Sequence, residues 1–270
     1  MTRATSADGT VGKALEVLDQ VAAFGRPVRF SELLAASPFP KATLYRFVQT
    51  LTNQGMLAFD AERQTYGPGL RLVRLAHAAW EQSSLAPVAR PMIDALSAQL
   101  GETVHLAQLD HGHVLYVDKR NAAEPIEMFS QAGRIGPAYC TGVGKAMLAH
   151  LGTDDLQRTL AMQSFHRFTA KTLTTAEALC AELEAIRTRG HAYDDEEHEV
   201  GIICIAMPIL GRTGRVLGAL SVTTSTDRNS LGGLARLAPD LRRTAEAIAQ
   251  EADIWRFPEQ SRPTPTAGAA

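Results

Sequence analysis

Apolar residues recur along this chain in two rhythms, and the change from one to the other divides it. Over the first eighty residues the period is helical. Val11, Ala14, Leu15, Val17, Leu18, Val21 and Ala22 share one face of a helix that Gly25 and Pro27 close. "RFSELLAASP" predicts a short second helix with Ser31 as its N-cap, stopped before Pro38. A third helix opens at Pro40 and ends at Gly55, with Leu44, Phe47, Val48 and Leu51 forming its apolar stripe. Met56 to Phe59 and Gln64 to Gly67 then flank the polar tip Asp60-Ala61-Glu62-Arg63, the pattern of a hairpin. Three helices followed by a two-stranded hairpin predict a winged helix-turn-helix over residues 10–69.

In "GLRLVRLAHAAWEQ" the residues Leu72, Val73, Leu75, Ala76, Ala79 and Trp80 predict an apolar linker helix over residues 70–83. Leu85, Val88, Ala89, Met92, Ile93, Leu96 and Leu100 predict an amphipathic helix up to Gly101. The rhythm then shortens. Strands are expected at Thr103 to Leu109, Val114 to Asp118 and Ile126 to Ser130, and later at His191 to Asp195, Ile202 to Leu210 and Arg215 to Ser225. Helices near Asp154 to Met162 and Ala176 to Arg189 separate the two groups, and a last helix runs from about Leu231 to Trp255. Strands joined by the "GRTG" turn, with helices at either end, predict an α+β domain on an antiparallel sheet over residues 84–256. The Pro- and Ala-rich residues 257–270 are expected to be disordered.

Composition narrows the function classes. The 270 residues are 45% apolar, enough for two cores, and carry neither a signal-peptide pattern nor an apolar run of membrane-spanning length, so a soluble cytoplasmic protein without membrane contact is expected. Cys140, Cys180 and Cys204 are widely spaced and form no C-x-x-C pair; they are expected to be reduced. Net charge is −2, unevenly spread: nine Lys and Arg face six Asp and Glu up to Trp80, against 18 and 23 in the remainder. A positive first part is compatible with nucleic acid.

The third predicted helix carries candidate chemistry. Opposite its apolar stripe lie Ala42, Arg46, Gln49 and Asn53, flanked by Thr43, Tyr45 and Thr50. Arg and Gln can make bidentate hydrogen bonds to base edges, and Lys41, Thr43 and Tyr45 can hold phosphates of double-stranded DNA. Arg63 at the hairpin tip is a further candidate, tempered by Asp60 and Glu62 beside it. In the second half, "YCTGVGKAML" invites comparison with a phosphate-binding loop. It lacks the first glycine, replaced by Tyr139, and the hydroxyl after the lysine, replaced by Ala146. Nucleotide hydrolysis is not expected, although backbone amides at a glycine-rich helix entry suit a small anion. G-x-S-x-G, H-E-x-x-H and G-x-G-x-x-G signatures are missing, and "DDEEHE" (Asp194 to Glu199) reads as a charged turn before a strand rather than a metal site. No cofactor, metal or catalytic residue is expected.

"TVGKALEVLD", "FPKATLYRFVQTLTNQGML" and "TYGPGLRLVRLA" resemble the N-terminal module of the IclR (isocitrate-lyase-regulator) family of bacterial transcription factors. The resemblance continues through "ETVHLAQLDHGHVLYVDK", "YCTGVGKAMLA", "DDEEHEVGIICIAMPI" and "GALSVT", spanning roughly Thr10 to Ile254. It implies a GAF/PAS-like effector-binding domain, a homodimer or homotetramer made through the linker helix and first module, and operator DNA as partner. Carried over residue by residue, it implies an effector pocket lined by Gly142, Val143, Asp194, Cys204, Ser221 and Thr223, with Met128 and Ile202 as apolar wall. Amides and hydroxyls there can accept a carboxylate while Asp194 accepts from ligand hydroxyls, so a small hydroxy or keto acid, possibly of sugar origin, is the expected effector. Aromatic residues look scarce around it, Tyr139 and Phe129 being the nearest, and Lys145 is expected to face solvent. The alternative is a small-molecule or metal-dependent enzyme built on the second domain.

Overall fold

The computed structural model describes residues 9–83, 85–125 and 128–254. The chain separates into two compact units that meet at Glu81 and Gln82.

In the first unit, α1 (Gly9–Ala23), α2 (Phe30–Ala36) and α3 (Lys41–Asn53) enclose a core of Val17, Leu18, Val21, Leu33, Leu44, Phe47, Val48 and Leu51, with Leu57 and Tyr66 from the hairpin strands β2 (Leu57–Asp60) and β3 (Thr65–Pro68). The predicted stripe of α3 is the buried one; of the stripe predicted for α1, Val17, Leu18 and Val21 are buried while Val11, Leu15 and Ala22 are exposed. Two details differ. A strand β1 (Val28–Arg29) pairs antiparallel with Tyr66 and Thr65, so the wing sheet has three strands in the order β1-β3-β2. Two residues are too few to leave a periodic signal. Helix α2 is capped two residues earlier than Ser31: Arg29 is its N-cap, and Glu32 accepts a hydrogen bond from the Arg29 amide at 2.9 Å. The carboxylate at the third helical residue thus satisfies the amide of the N-cap residue itself. Helix α4 (Leu70–Ser83) follows the wing with Leu70, Val73 and Leu75 exposed.

The second unit is an antiparallel six-stranded sheet. Its strands are β4 (Thr103–Asp110), β5 (His113–Arg120), β6 (Ile135–Gly136), β7 (Ala192–Asp195), β8 (Ile202–Leu210) and β9 (Val216–Ser225), in the order β6-β5-β4-β9-β8-β7. Strands β8 and β9 are buried along nearly their whole length. Ile203, Ile205 and Met207 with Leu220 and Val222 point to the face where α5 (Ala86–Leu100) and α10 (Ala238–Ile254) pack. Their neighbours Cys204, Ala206, Ala219, Ser221 and Thr223 point the other way. Burial on both faces explains the continuous apolar run "IICIAMPIL".

That second face carries α6 (Gly142–Leu148), every residue of which is buried, with α7 (Thr153–Met162) and α8 (Ala176–Arg189) beyond. Small residues line the contact. Ala107, Ala192, Ala206 and Ala219 let α6 approach the sheet closely. Gly142 shows how closely: a Cβ there would stand 2.4 Å from Cys204 Sγ.

Two predicted elements are corrected. The strand expected at Ile126 to Ser130 is not formed where it can be followed: residues 126 and 127 lie outside the described residues, Met128 to Ser130 is irregular, and β6 pairs with β5 instead. The last helix is two, α9 (Leu231–Ala235) and α10, because Pro239 cannot donate to a preceding turn and the helix restarts around it. The expected end of that helix at Trp255 and the expected disordered tail lie outside the described residues.

Candidate functional site

Helix α3 buries its stripe and leaves the other side open. Lys41, Ala42, Tyr45 and Arg46 are exposed, and Thr43 and Gln49 half-buried. Tyr45 is fixed edge-on against Phe30 of α2, with ring centroids 5.8 Å apart. The Arg46 guanidinium lies over the Phe47 ring at 5.8 Å. Such stacking holds a long side chain without consuming its hydrogen-bond donors. At the wing tip, Asp60 Oδ1 accepts the amides of Glu62 at 2.9 Å and Arg63 at 3.1 Å. The acid that tempered the sequence reading is therefore the turn's own cap, and Arg63 stays exposed beside it.

In the second unit the residues marked in the sequence converge. Met128, Gly142, Val143, Asp194, Ile202, Cys204, Ser221 and Thr223 all line one cavity. The hydroxyls of Ser221 and Thr223 come from alternate positions of β9, Cys204 lies across from Thr223 on β8, and Asp194 lies across from Cys204 on β7. The floor is thus one stripe across three paired strands. The first turn of α6 forms the opposite wall. Its first helical hydrogen bond runs from the Lys145 amide to Thr141 O, so the amides of Gly142, Val143 and Gly144 have no helical acceptor.

His105 is the centre of the polar floor. Its Nε2 is 2.8 Å from Ser130 Oγ, and its Nδ1 is 3.2 Å from Thr223 Oγ1 and 3.5 Å from Ser221 Oγ. Burial, with a smaller contribution from Lys119, pushes the imidazole down to about 3, so it is neutral and presents one donor and one acceptor. One ring nitrogen cannot serve both hydroxyls, which leaves Ser221 the freer of the two. Asp194 accepts the Glu197 amide at 2.8 Å; burial, then the charge of Glu197, raises it to about 7. Cys204 is pushed up to about 12, by burial first and Asp194 second. It is a thiol, and a nucleophile would need the thiolate.

The acidic run splits among separate partners. Lys171 Nζ donates to Asp195 at 2.9 Å and Glu196 at 2.7 Å, and Glu199 accepts the Phe129 amide at 3.1 Å. Glu197 pairs with Lys145. Among the described residues no group of His, Cys, Asp and Glu gathers in a metal-holding arrangement. Lys145 corrects an expectation: at 1% exposure it is an interior ammonium, bound to Glu197 and 3.9 Å from Glu182, and it ties α6 to the acidic turn and to α8. A lysine one turn into a glycine-opened helix carries no sequence sign of which way it points.

Aromatic rings are not scarce here. Tyr116, Phe129 and His198 line the cavity, with the Phe129 and His198 ring centroids 5.0 Å apart. Tyr139 does not; its hydroxyl donates to His166 O at 2.7 Å inside the neighbouring core. Tyr116 arrives through a β-bulge. Leu106 pairs with Asp118 but Ala107 pairs with Tyr116, so the extra residue turns Tyr116 to the cavity face. Ser130, Thr141, His198 and Glu199 complete the lining. The signal that could have found the last two was their place in the same acidic turn as Asp194.

Residues 10–61 match the IclR helix-turn-helix domain family, and residues 77–250 match the bacterial transcriptional regulator IclR C-terminal family. The chain belongs to the IclR family. It is 32% identical to the HTH-type transcriptional regulator KdgR of Escherichia coli (strain K12), over 92% of this chain and 95% of that one. It is 30% identical to the HTH-type transcriptional regulator XynR of the same organism, over 89% and 96%. The crystal structure of the Thermotoga maritima IclR superposes with a TM-score of 0.72 at 27% identity, covering 90% of this chain and 98% of that one. As an IclR-family member the chain is a transcriptional regulator with a DNA-binding helix-turn-helix and an effector-binding C-terminal domain, and not an enzyme. Among the described residues no helix is long and apolar enough to cross a membrane.

Proposed function

We propose that this regulator reads operator DNA with the exposed side of α3 and that a small hydroxy or keto acid, held in the cavity between α6 and the sheet, alters that binding. The observation that carries the reading is the convergence of the helix-opening amides of Gly142 and Val143 with the hydroxyls of Ser221 and Thr223 around one cavity. Arg46 and Gln49 are assigned to base edges with Ala42 beside them on the same face, Lys41, Thr43 and Tyr45 to the phosphate backbone around them, and Arg63 to the wing's DNA contact. Asp194 accepts from ligand hydroxyls, and Met128 and Ile202 supply apolar wall. The aromatic rings widen the acceptable carbon skeletons beyond sugar-derived acids.

The working unit is a cytoplasmic homodimer or homotetramer. Leu70 and Val73 of α4 are 85% and 65% exposed, an apolar surface that a second copy could cover. Residues 10–69 act as the DNA-binding domain, 70–83 as linker helix and 84–256 as effector domain. The deciding experiment is a gel shift on the DNA upstream of the protein's own coding region, with and without a panel of small carboxylates. Specific retardation that a carboxylate shifts is expected. Failure to retard that DNA, or any operator recovered by selection, would overturn the assignment of α3.

A further inference from the structure

The charges around the cavity restrict what it can hold, and the inference drawn from them rests on the carboxylate reading above. Asp194 and Glu199 both line the cavity, whereas among the described residues no Lys or Arg side chain is part of the lining, the Lys119 ammonium lying behind it on Ser130 O at 3.0 Å. The imidazoles there bring no compensating charge, since burial lowers both His105 and His198. Amides and hydroxyls can orient an anion, but they cannot neutralise one placed beside an ionised carboxylate in a buried site.

Asp194 is the group through which this conflict is resolved. It is buried at the end of β7, held by backbone donors of its own turn, and faced by Cys204 from β8, Tyr116 from β5, Cys140 just ahead of α6, Lys145 from α6, and Glu197 and His198 from the turn. The ammonium in that set is already committed to Glu197. With turn amides occupying acceptor positions on the carboxyl, an added proton makes it a donor toward the ligand carboxylate, in place of its role as acceptor from a ligand hydroxyl.

We propose that a carboxylate effector enters the pocket together with one proton taken from solvent and shared with Asp194, and that the pocket therefore selects monocarboxylates over dicarboxylates and phosphate esters. Two carboxyl oxygens in contact in a buried site hold one proton between them, and its titration belongs to the pair. The free pocket is prepared for this, because burial and Glu197 already raise Asp194 to about 7, so the proton is taken up at little cost near neutrality. A ligand with a second negative charge would meet the second lining carboxylate, Glu199, both of whose oxygens already face the Phe129 amide.

The test is calorimetric titration of the full-length protein with glycolate, pyruvate and gluconate from about pH 6 to pH 9, in buffers of different ionisation heat. Proton uptake makes affinity fall as pH rises. For the acids that bind, Kd should be flat below about pH 7 and rise about tenfold per unit above it, with proton uptake approaching one per site at the alkaline end. Malate and glycerol phosphate should bind at least about tenfold more weakly than the best monocarboxylate. Asp194→Asn keeps an acceptor oxygen for the turn amide and imitates the protonated acid. Its Kd should be independent of pH and about tenfold lower than the parent's near pH 8. Acid binding with no pH slope and no proton uptake, or the same slope in Asp194→Asn, would overturn the inference and leave the carboxylate reading standing. If none of the three acids binds even at pH 6, the carboxylate reading falls and this inference with it. Should the variant fail to fold, the buffer dependence of the parent decides by itself.

Discussion

The Lys145 ammonium is bound to the Glu197 carboxylate inside the protein, so the lysine of the glycine-rich turn holds together the two chain segments that form opposite sides of the cavity. Removing one partner of a buried pair leaves the other charge unpaired. Lys145→Met should destabilise the second unit by about 3–5 kcal/mol. The combined Lys145→Met, Glu197→Leu protein should recover most of that loss. Urea unfolding of the three proteins measures both effects, and equal stability of the single variant and the parent would contradict the pairing.

Gly142 is required by the close seating of α6 rather than by backbone strain; its φ is not in the left-handed region that would demand a glycine. A Cβ would stand 2.4 Å from Cys204 Sγ and 3.3 Å from Ala206 Cβ. Gly142→Val is therefore expected to damage folding as well as to block the approach of a ligand to the backbone. The sharper pair is Gly142→Ala alone, costing about 1–3 kcal/mol by overpacking, and Gly142→Ala with Cys204→Ala, in which the removed sulfur restores much of it. Thermal denaturation compares them.

On the DNA side, Arg46→Ala and Gln49→Ala should weaken operator binding by about 1–3 kcal/mol and relax preference at one base pair each. Neither contributes to the buried stripe of Leu44, Phe47, Val48 and Leu51, so the fold should be unchanged. Lys41→Ala should weaken all sequences alike and reduce the salt dependence. Binding to operators altered one base pair at a time separates the two classes. A uniform loss for Arg46→Ala would reassign it to a phosphate.

Ser221→Ala and Thr223→Val should each weaken effector binding by about 0.5–1.5 kcal/mol, and more where the hydrogen bond is charge-assisted. The geometry ranks them. Thr223 Oγ1 is the closer to His105 Nδ1, at 3.2 Å against 3.5 Å, so Thr223→Val also frees a ring nitrogen and should lower stability slightly. Ser221→Ala should affect the ligand alone. DNA affinity without ligand should hold in both, because these residues belong to the second unit and α3 to the first. Thermal-shift titration with small carboxylates reads the ligand effect, and gel shift reads the DNA effect.

The sequence determined the elements whose burial is periodic. The stripe of α3, the amphipathic α5 and the strand β5 are written in side chains repeating every 3.6 or two residues, because one face of each must leave water, whereas β8 and β9 are legible as apolar runs because both their faces do. It also carried the candidate pocket residues, through strings whose order matches one family. What it lacked was direction for residues whose partners are distant in the chain. Lys145 points inward because Glu197, 52 residues on, is there to meet it. Tyr116 reaches the cavity because a bulge opposite Leu106 and Ala107 shifts the register by one residue. Glu199 is spoken for by an amide at Phe129, 70 residues earlier. Local patterns report the competition between water and the core at each position; which charge meets which, and which ring turns into the cavity, is settled only when the strands are paired and the helix is seated on them.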